Sequence, residues 1–236
     1  MAAHLDVGEE GFSPLPLTDL PPGSVAETDL YVRTRDSISM YLDSGRTLTA
    51  GVLSALVDAG IEALYIPNRV LGPFAQQACR SARIELADAE TPVERRAMVI
   101  REAAVAVSRH LVVHPGPASI GTAQQLAMMT VTEALESPES LQALVRLTYV
   151  TTELNKHFVN SFVYSMAICA AMGTDGSHDI LATGLAGLLV DIGMAKLTQE
   201  AQAAALAGDE SNPMIRQHVF VGRELLHEVR GMPAIV

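Results

Sequence analysis

The stretch from Gly187 to Leu197, GLLVDIGMAKL, decides how the rest of the sequence is interpreted. An apolar run ends at Leu189, and a single carboxylate, Asp191, follows it just before Gly193. A carboxylate in so apolar a setting needs a hydrogen-bonding partner or a metal ion, because an isolated buried charge is too costly. The alternative is an ordinary helix end, in which the aspartate caps nearby backbone groups and the glycine terminates the helix.

Composition limits the classes of protein that the 236 residues can form. Hydrophobic residues make up 49%, aromatic residues only 4%, and tryptophan is absent, which favours helices packed through small and aliphatic side chains. Acidic residues number 27 and basic residues 16, and the net charge of −11 argues against nucleic acid or an anionic membrane as the main partner. The sequence also predicts no membrane span and no signal peptide, so we expect a cytoplasmic location.

The cysteines and one histidine pair are candidates for metal binding that the sequence argues against. Cys79 and Cys169 match no metal-ligand spacing and are predicted to be free buried thiols. His110 and His114 are one helical turn apart, a spacing that can bind a metal ion. No acidic third ligand lies nearby, so their position near a helix C-terminus, where cations are favoured, is the better explanation.

The order of patterns along the chain predicts an α+β protein, with a small N-terminal α/β domain followed by an all-α helical bundle. Residues 1–24 are rich in proline, glycine and acid, and are predicted to be a flexible tail. Residues 25–67 form the small domain, with strands at Asp29–Arg33, Ile38–Leu42 and Ala63–Ile66 and a helix over Ala50–Ala59 that Thr49 caps.

The remainder of the chain is predicted to be helical. Residues 68–118 are interpreted as connecting helices, Arg69–Leu86 and Pro92–Val113, and residues 119–236 as a helical domain. The predicted helices of that domain are Ile120–Leu135, Pro138 to about Met172 with a possible break near Thr151, Asp179–Leu189 and Pro213–Val229. A polar linker is predicted from Thr198 to Asn212.

The central stretch resembles the motif HDIGK of the HD-GYP branch of the HD phosphohydrolase superfamily. The motif stands here as Val190-Asp191-Ile192-Gly193-Met194, with valine in place of histidine and methionine in place of lysine. The small N-terminal domain resembles one found ahead of some HD-GYP domains. A related HDOD-type bundle without metals is a further alternative.

Two more motifs carry the resemblance. The run from His157 to Ser161, HFVNS, is similar to the family's first-histidine motif, His-Ser-x-Asn-Val, and keeps Asn160. His218 and Gly222 fit the family's His-Pro-x-x-Gly pattern, with valine in place of the proline. The sequence stops before the point where the family has its His-His-Glu and Gly-Tyr-Pro motifs.

The resemblance implies a metal-dependent hydrolysis of cyclic di-GMP in the relatives, in which bound metal ions activate water. In this chain Val190 has no lone pair for a metal and Met194 no charge for a phosphate, so no catalytic residue is assigned. We expect these apolar replacements to have turned the former metal pocket into packed core. The resemblance therefore implies a degenerate, non-catalytic signalling or interaction protein, for which binding of cyclic di-GMP is doubtful.

Three interpretations of His157, Asp191 and His218 remain open. The histidines can be core residues hydrogen-bonded to the aspartate. They can hold at most one divalent ion, iron or manganese, because three mixed nitrogen and oxygen ligands suffice when waters complete the shell. They can also belong to a divergent phosphohydrolase whose missing motifs lie beyond Val236. For the first interpretation we expect a protein partner or a homodimer, docking through the Pro92–Val113 helix or the N-terminal domain.

Overall fold

The computed structural model describes residues 11–20, 22–34, 37–148, 153–173, 177–208 and 213–229. The chain divides into two compact units, Met1–Phe74 and Ala75–Val236. A small sheet lies in the first unit and the second is helical, so the predicted α+β fold class is confirmed.

The first unit contains an antiparallel sheet of four strands in the order β1-β4-β2-β3. The strands are β1 (Phe12–Pro16), β2 (Leu30–Arg33), β3 (Ile38–Leu42) and β4 (Ala63–Pro67). Between β3 and β4 lies helix α1 (Ala50–Asp58), which Thr49 caps by accepting a hydrogen bond from the Val52 N–H at 3.2 Å. The core of the unit includes Leu56 of the helix, and burial alternates along β1, as the period-two pattern predicts, whereas the neighbouring Leu30 and Tyr31 of β2 are both buried.

Strand β1 corrects the prediction of a flexible tail over residues 1–24 in its second half, since it pairs with β4 along its whole length, while residues 1–10 lie outside the described residues. The sequence suggested irregular chain because the segment is rich in proline, glycine and acidic residues, and Pro14 and Pro16 have no N–H group for a sheet hydrogen bond. The Gly11 carbonyl and the Leu17 N–H, which flank the strand, both bond to backbone beside β4. By alternation the two prolines face away from β4, where a missing donor costs no sheet hydrogen bond.

The second unit is built from long helices that follow each other closely. After α2 (Leu71–Ala87), whose first turn belongs to the first unit, the helices are α3 (Val93–Val113), α4 (Pro117–Glu136), α5 (Pro138–Arg146), α6 (Leu154–Ala171), α7 (Ser177–Leu189), α8 (Gln199–Leu206) and α9 (Gln217–His227). A 3-10 turn, Ile192–Lys196, follows α7. The predicted break falls between α5 and α6, and Thr151 itself lies outside the described residues.

Three predicted boundaries in this unit were wrong. Pro117 begins α4 instead of lying in the loop before it, because proline is well tolerated in a first helical turn. The predicted polar linker contains α8, which Thr198 caps through the Ala201 N–H at 3.3 Å. The last helix begins at Gln217 and not at Pro213.

Helix α3 forms the centre of the bundle and packs against α4, α5 and α6. Its buried residues include four alanines, Ala97, Ala103, Ala104 and Ala106, which suits close packing between helices. Helix α7 packs closely on α6 through Gly184 and Gly187, and a Cβ at Gly187 would lie 2.7 Å from the Ser161 carbonyl oxygen. The abundance of small side chains in the sequence thus corresponds to close helix contacts.

One charged pair is buried between α3 and α4. The Arg96 guanidinium donates two hydrogen bonds of 2.6 Å to the two carboxylate oxygens of Glu133. Only 3% of the Glu133 side chain is exposed, against 12% for Arg96. A two-pronged contact of this kind holds the two helices in one register.

Both cysteines are free and buried, and burial raises the pKa of the Cys79 thiol to about 11. Among the described residues, His178–Lys196 is the one segment long and apolar enough to cross a membrane by length and composition, with a mean hydropathy of 1.3. More than half of that segment, 56%, is buried inside the structure. It is also interrupted between α7 and the 3-10 turn, which fits a core segment better than a span.

Candidate polar site

Three side chains that the sequence singled out lie together in the second unit. His157 projects from the first turn of α6, Asp191 follows the end of α7, and His218 lies at the start of α9. The His157 Nε2 atom is 2.8 Å from Asp191 Oδ2, and the His218 Nε2 atom is 3.2 Å from Asp191 Oδ1. One carboxylate therefore joins two histidines, each through its own oxygen.

The second nitrogen of His218 is also engaged. Its Nδ1 atom contacts the Ile215 carbonyl oxygen one turn earlier, and because a carbonyl only accepts, Nδ1 carries the proton. The Nε2 atom then has two possible forms. It either carries a second proton and donates it to Asp191, or keeps a lone pair of the kind that binds a metal ion.

The aspartate is stabilised in its charged form. The hydrogen bond from His157 lowers the pKa of Asp191, burial opposes that effect, and the charges of His157 and His218 lower the pKa further. With only 22% of its side chain exposed, the carboxylate depends on these two partners in place of water.

Val190 and Met194, which replace the family's histidine and lysine, occupy different environments. Met194 is buried, in agreement with the expectation of packed core. Val190 is 62% exposed, so that expectation is wrong at this position. The reason is that α7 ends at Leu189, and the chain turns outward there before Asp191 returns to the cluster.

Gly193 does not terminate α7, as the sequence suggested, but allows a close contact between two backbone segments. It lies inside the 3-10 turn, and its φ angle is not positive, so it does not have the backbone conformation of a glycine that ends a helix. A Cβ at Gly193 would overlap the His218 carbonyl and lie 2.6 Å from the Gly222 nitrogen. The two glycines thus let the turn and α9 touch through their backbones, which brings His218 to Asp191.

The cluster offers a mixed set of donors to a metal ion. Two imidazoles and a carboxylate are a mixture that iron, manganese or zinc accepts. Within the described ranges, however, no group of three or more His, Cys, Asp or Glu side chains is arranged to hold an ion. The two Nε2 atoms contact separate oxygens of Asp191, at 2.8 Å and 3.2 Å, so an ion held by these residues would have to replace such contacts.

The histidine pair on α3 is not part of this cluster. The rings of His110 and His114 lie edge to face with centroids 6.0 Å apart. His110 is buried and its Nδ1 atom has no hydrogen-bond partner. Burial, followed by the nearby His114, lowers the pKa of His110. This isolated nitrogen could not be predicted from the sequence, because burial of one face of α3 depends on tertiary packing.

A small recess between α3, α5 and α6 is a second feature that sequence reasoning missed. Arg101, Thr148, Lys156 and Asn160 contribute its polar groups, and the remaining lining is Val105, Leu144, Leu147, Val159 and Val163. Lys156 is largely buried and its ammonium group is 2.7 Å from Glu153. Asn160, kept from the first-histidine motif, lines this recess.

Comparison with known proteins identifies the fold that carries this cluster. No family model matches the sequence, and no curated protein matches it. Among solved structures the chain is similar to Bd1817, a HDG"Y"P protein from Bdellovibrio bacteriovorus, with a TM-score of 0.61 and 16% sequence identity. The similarity covers 95% of this chain and 74% of that chain. The chain thus has an HD-GYP-like fold, as its motifs predicted.

Proposed function

We propose that this chain is a non-catalytic signalling or interaction protein, related to cyclic di-GMP phosphodiesterases, in which the metal centre has become a structural cluster. The observation that carries the proposal is the pairing of Asp191 with two imidazoles, one on each oxygen. In that state the carboxylate has its charge balanced by hydrogen bonds within the protein, and it needs no cation.

The residues beside Asp191 support the same proposal. A valine side chain that points to solvent offers nothing to a metal ion, and a buried methionine offers no charge to a phosphate group. Hydrolysis of a phosphodiester needs both an activated water and stabilisation of developing negative charge. Neither Val190 nor Met194 can supply either one. The relationship to cyclic di-GMP signalling rests on the family resemblance, and a protein partner is expected in place of a substrate.

A divergent metal-dependent phosphohydrolase is the second candidate, and His218 favours it. When the Nδ1 atom of a histidine donates to a backbone carbonyl, the other nitrogen is oriented as metal-binding histidines usually are. His157, Asp191 and His218 would be the ligands of a single iron or manganese ion. Such an ion, when bound, would supply Lewis acidity, while the chain itself would position the three donors.

The experiment that separates the candidates is metal analysis of the purified full chain, followed by hydrolysis assays on cyclic di-GMP and on bis(p-nitrophenyl) phosphate. We expect substoichiometric metal and no turnover after incubation with iron or manganese. Stoichiometric metal with turnover that a chelator removes would overturn the proposal.

Asp191→Asn gives an independent test, because it keeps the shape and removes the charge. If the cluster is structural, Asp191→Asn lowers the melting temperature to the same extent with and without chelator. If the cluster holds an ion, chelator lowers the melting temperature of the unmodified chain and has no effect on the variant. Asp179→Asn, at an exposed aspartate on the first turn of α7, is the matched control.

A further inference from the structure

The recess between α3, α5 and α6 brings positive charge together in a chain whose net charge is −11. Arg101 of α3 and Lys156 of α6 both line it, and no Asp or Glu lines it among the residues that the structure describes. Five of its nine lining residues are valine or leucine. Ligand sites commonly combine apolar walls, which bury the ligand, with a few polar groups that orient it. Here those polar groups suit an anion.

One face of helix α6 forms a wall of the recess. Its lining residues are three or four positions apart, as members of one helix face are: Lys156, Val159, Asn160 and Val163. His157 follows by one residue, about 100° further round a helix of 3.6 residues per turn, and it contacts Asp191 instead. The recess and the polar cluster therefore use different faces of the same helix.

The ammonium group of Lys156 already holds a carboxylate. It lies 2.7 Å from Glu153, and 8% of the Lys156 side chain is exposed, against 45% for Glu153. The internal carboxylate thus reaches the buried ammonium group from the solvent side, and a carboxylate from solution can follow the same route. Glu153 is the N-cap residue of α6, but its side chain makes no cap hydrogen bond, so it can move without uncapping the helix.

The two cations can bind a further carboxylate beside partners that they already have, since an ammonium group has three N–H donors and a guanidinium group has five. Thr148 is different, because its hydroxyl is 2.7 Å from the Val145 carbonyl oxygen, which only accepts, and its single proton is used there. Hydrogen bonds between charged groups are roughly twice as strong as those between neutral ones. We therefore expect Arg101 and Lys156 to determine the affinity.

The size and the walls of the recess restrict the ligand. It contains about 270 Å³ of empty space, part of which is open to solvent. Sites for drug-sized ligands occupy roughly 300–1,000 Å³, so a single ring or a short chain is the upper limit here. A strongly hydrated anion such as inorganic phosphate does not suit walls of valine and leucine, because they offer no hydrogen bonds in return for the lost water.

We propose that the recess binds a small organic monocarboxylate, with its apolar group against the valines and leucines and its carboxylate on Lys156 and Arg101 in place of Glu153. This goes beyond the proposed function, because it assigns a ligand to a face of α6 that the polar cluster does not use. So small a ligand is expected to bind with a millimolar dissociation constant, since few atoms contribute to the affinity.

Titration of the isotope-labelled full chain with sodium benzoate, followed through its amide chemical shifts at constant ionic strength, tests the proposal. We expect saturable shifts at the lining residues of α3, α5 and α6. Benzamide, which keeps the shape of benzoate and removes its charge, and inorganic phosphate, which keeps charge without an apolar group, should each bind at least about tenfold more weakly. Shifts that do not saturate with benzoate, or equal binding of either control compound, overturn the proposal.

Two charge changes of opposite effect separate a ligand site from a purely structural ion pair. Arg101→Gln removes a cation and should weaken benzoate binding at least about fivefold, whereas Glu153→Gln removes the competing carboxylate and should strengthen it at least about threefold. The matched controls are Arg95→Gln on α3 and Glu139→Gln on α5, which change the net charge equally at exposed positions and should leave the affinity unchanged.

Glu153→Gln is the decisive variant, because Glu153 is exposed and its replacement tests the proposal even if loss of Arg101 affects folding. A structural ion pair predicts a lower melting temperature for Glu153→Gln and no gain in affinity for benzoate. Unchanged or weaker binding by this variant, with circular dichroism showing that it is folded, overturns the proposal. So do effects of equal size in the two control variants.

Discussion

At the scale of single residues, Gly193 decides whether the polar cluster forms. Alanine there would place a methyl group against the backbone of α9 at His218 and Gly222. Neither backbone atom can move without shifting the helix, so we expect Gly193→Ala to cost about 1–3 kcal/mol of stability. Hydrogen exchange should also show faster exchange of the α9 amides.

Gly121→Ala is the matched control, because a Cβ at Gly121 in α4 meets nothing within 4 Å. Alanine is the better helix former, so this change should leave stability unchanged or raise it by up to about 1 kcal/mol. Equal losses for the two variants in urea denaturation would contradict the close contact at Gly193.

The buried His110 makes stability depend on pH. Its pKa is lowered in the folded protein, so the unfolded chain takes up the proton first as the pH falls. The contribution of His110 is fully present above about pH 6.5, its usual pKa, and is lost as the pH falls from there through its lowered folded value. Urea denaturation between neutral and mildly acidic pH should therefore show falling stability.

The variant His110→Leu removes this titration. Its stability should vary less over the same pH interval, by at most about 1.4 kcal/mol per pH unit, the limit for one proton. The exposed His178, 81% accessible, provides a control, because His178→Leu should keep the pH dependence of the unmodified chain. An unchanged slope in His110→Leu would show that His110 does not titrate in this range.

At the scale of elements, the buried pair between α3 and α4 should be sensitive to the loss of one partner. Arg96→Met leaves the carboxylate of Glu133 buried without a partner, which should cost about 3–5 kcal/mol. The double variant Arg96→Met/Glu133→Leu removes both charges and should recover most of that loss. A double variant as unstable as the single one would show that lost packing, and not the isolated charge, sets the cost.

The neighbouring pair of Arg95 and Glu85 offers a comparison of the same chemistry at the surface. Its hydrogen bonds are equally short, 2.6 Å, but 44% of the Arg95 side chain is exposed. Arg95→Met should therefore cost no more than about 1 kcal/mol, since water and salt screen exposed pairs. Thermal melts of the Arg95 and Arg96 variants side by side measure the effect of burial.

Elements were predicted well where local chemistry determines them. The limits of β3 and the N-cap at Thr49 follow from β-branched and aromatic patterning and from a hydroxyl before an apolar run. Strand β1 was missed because its prolines are compatible with a sheet only at an edge, and edge position is a property of the assembled sheet. Helix α8 was missed because its alanines carry little hydrophobic periodicity, although Thr198 was an available N-cap signal.

The candidate site could be predicted as a set of residues but not as an arrangement. The motifs identified His157, Asp191 and His218 as candidates, and in the structure both histidines contact the aspartate. The outward position of Val190 was not predictable, because the point where a helix ends relative to a bundle is set by packing. The close contact between Gly193 and α9 likewise depends on two segments far apart in sequence.

At the scale of the whole molecule, excess negative charge is the dominant electrostatic feature. With a net charge of −11 and a pI near 5.0, like charges repel in the folded chain at neutral pH. Added sodium chloride screens this repulsion, so the melting temperature of the full chain should rise between low and moderate ionic strength. A falling melting temperature would indicate that exposed ion pairs such as Arg95–Glu85, which salt weakens, outweigh the general repulsion.

The outward-facing prolines of β1 determine how the sheet can be extended. A further strand laid beside β1 would find no donor at Pro14 or Pro16, the positions that should bond to it. Growth of the sheet into a fibril from that side is thereby blocked, even though every strand in it pairs antiparallel. A designed peptide intended to add a strand to this protein should consequently be aimed at β3, at the opposite edge.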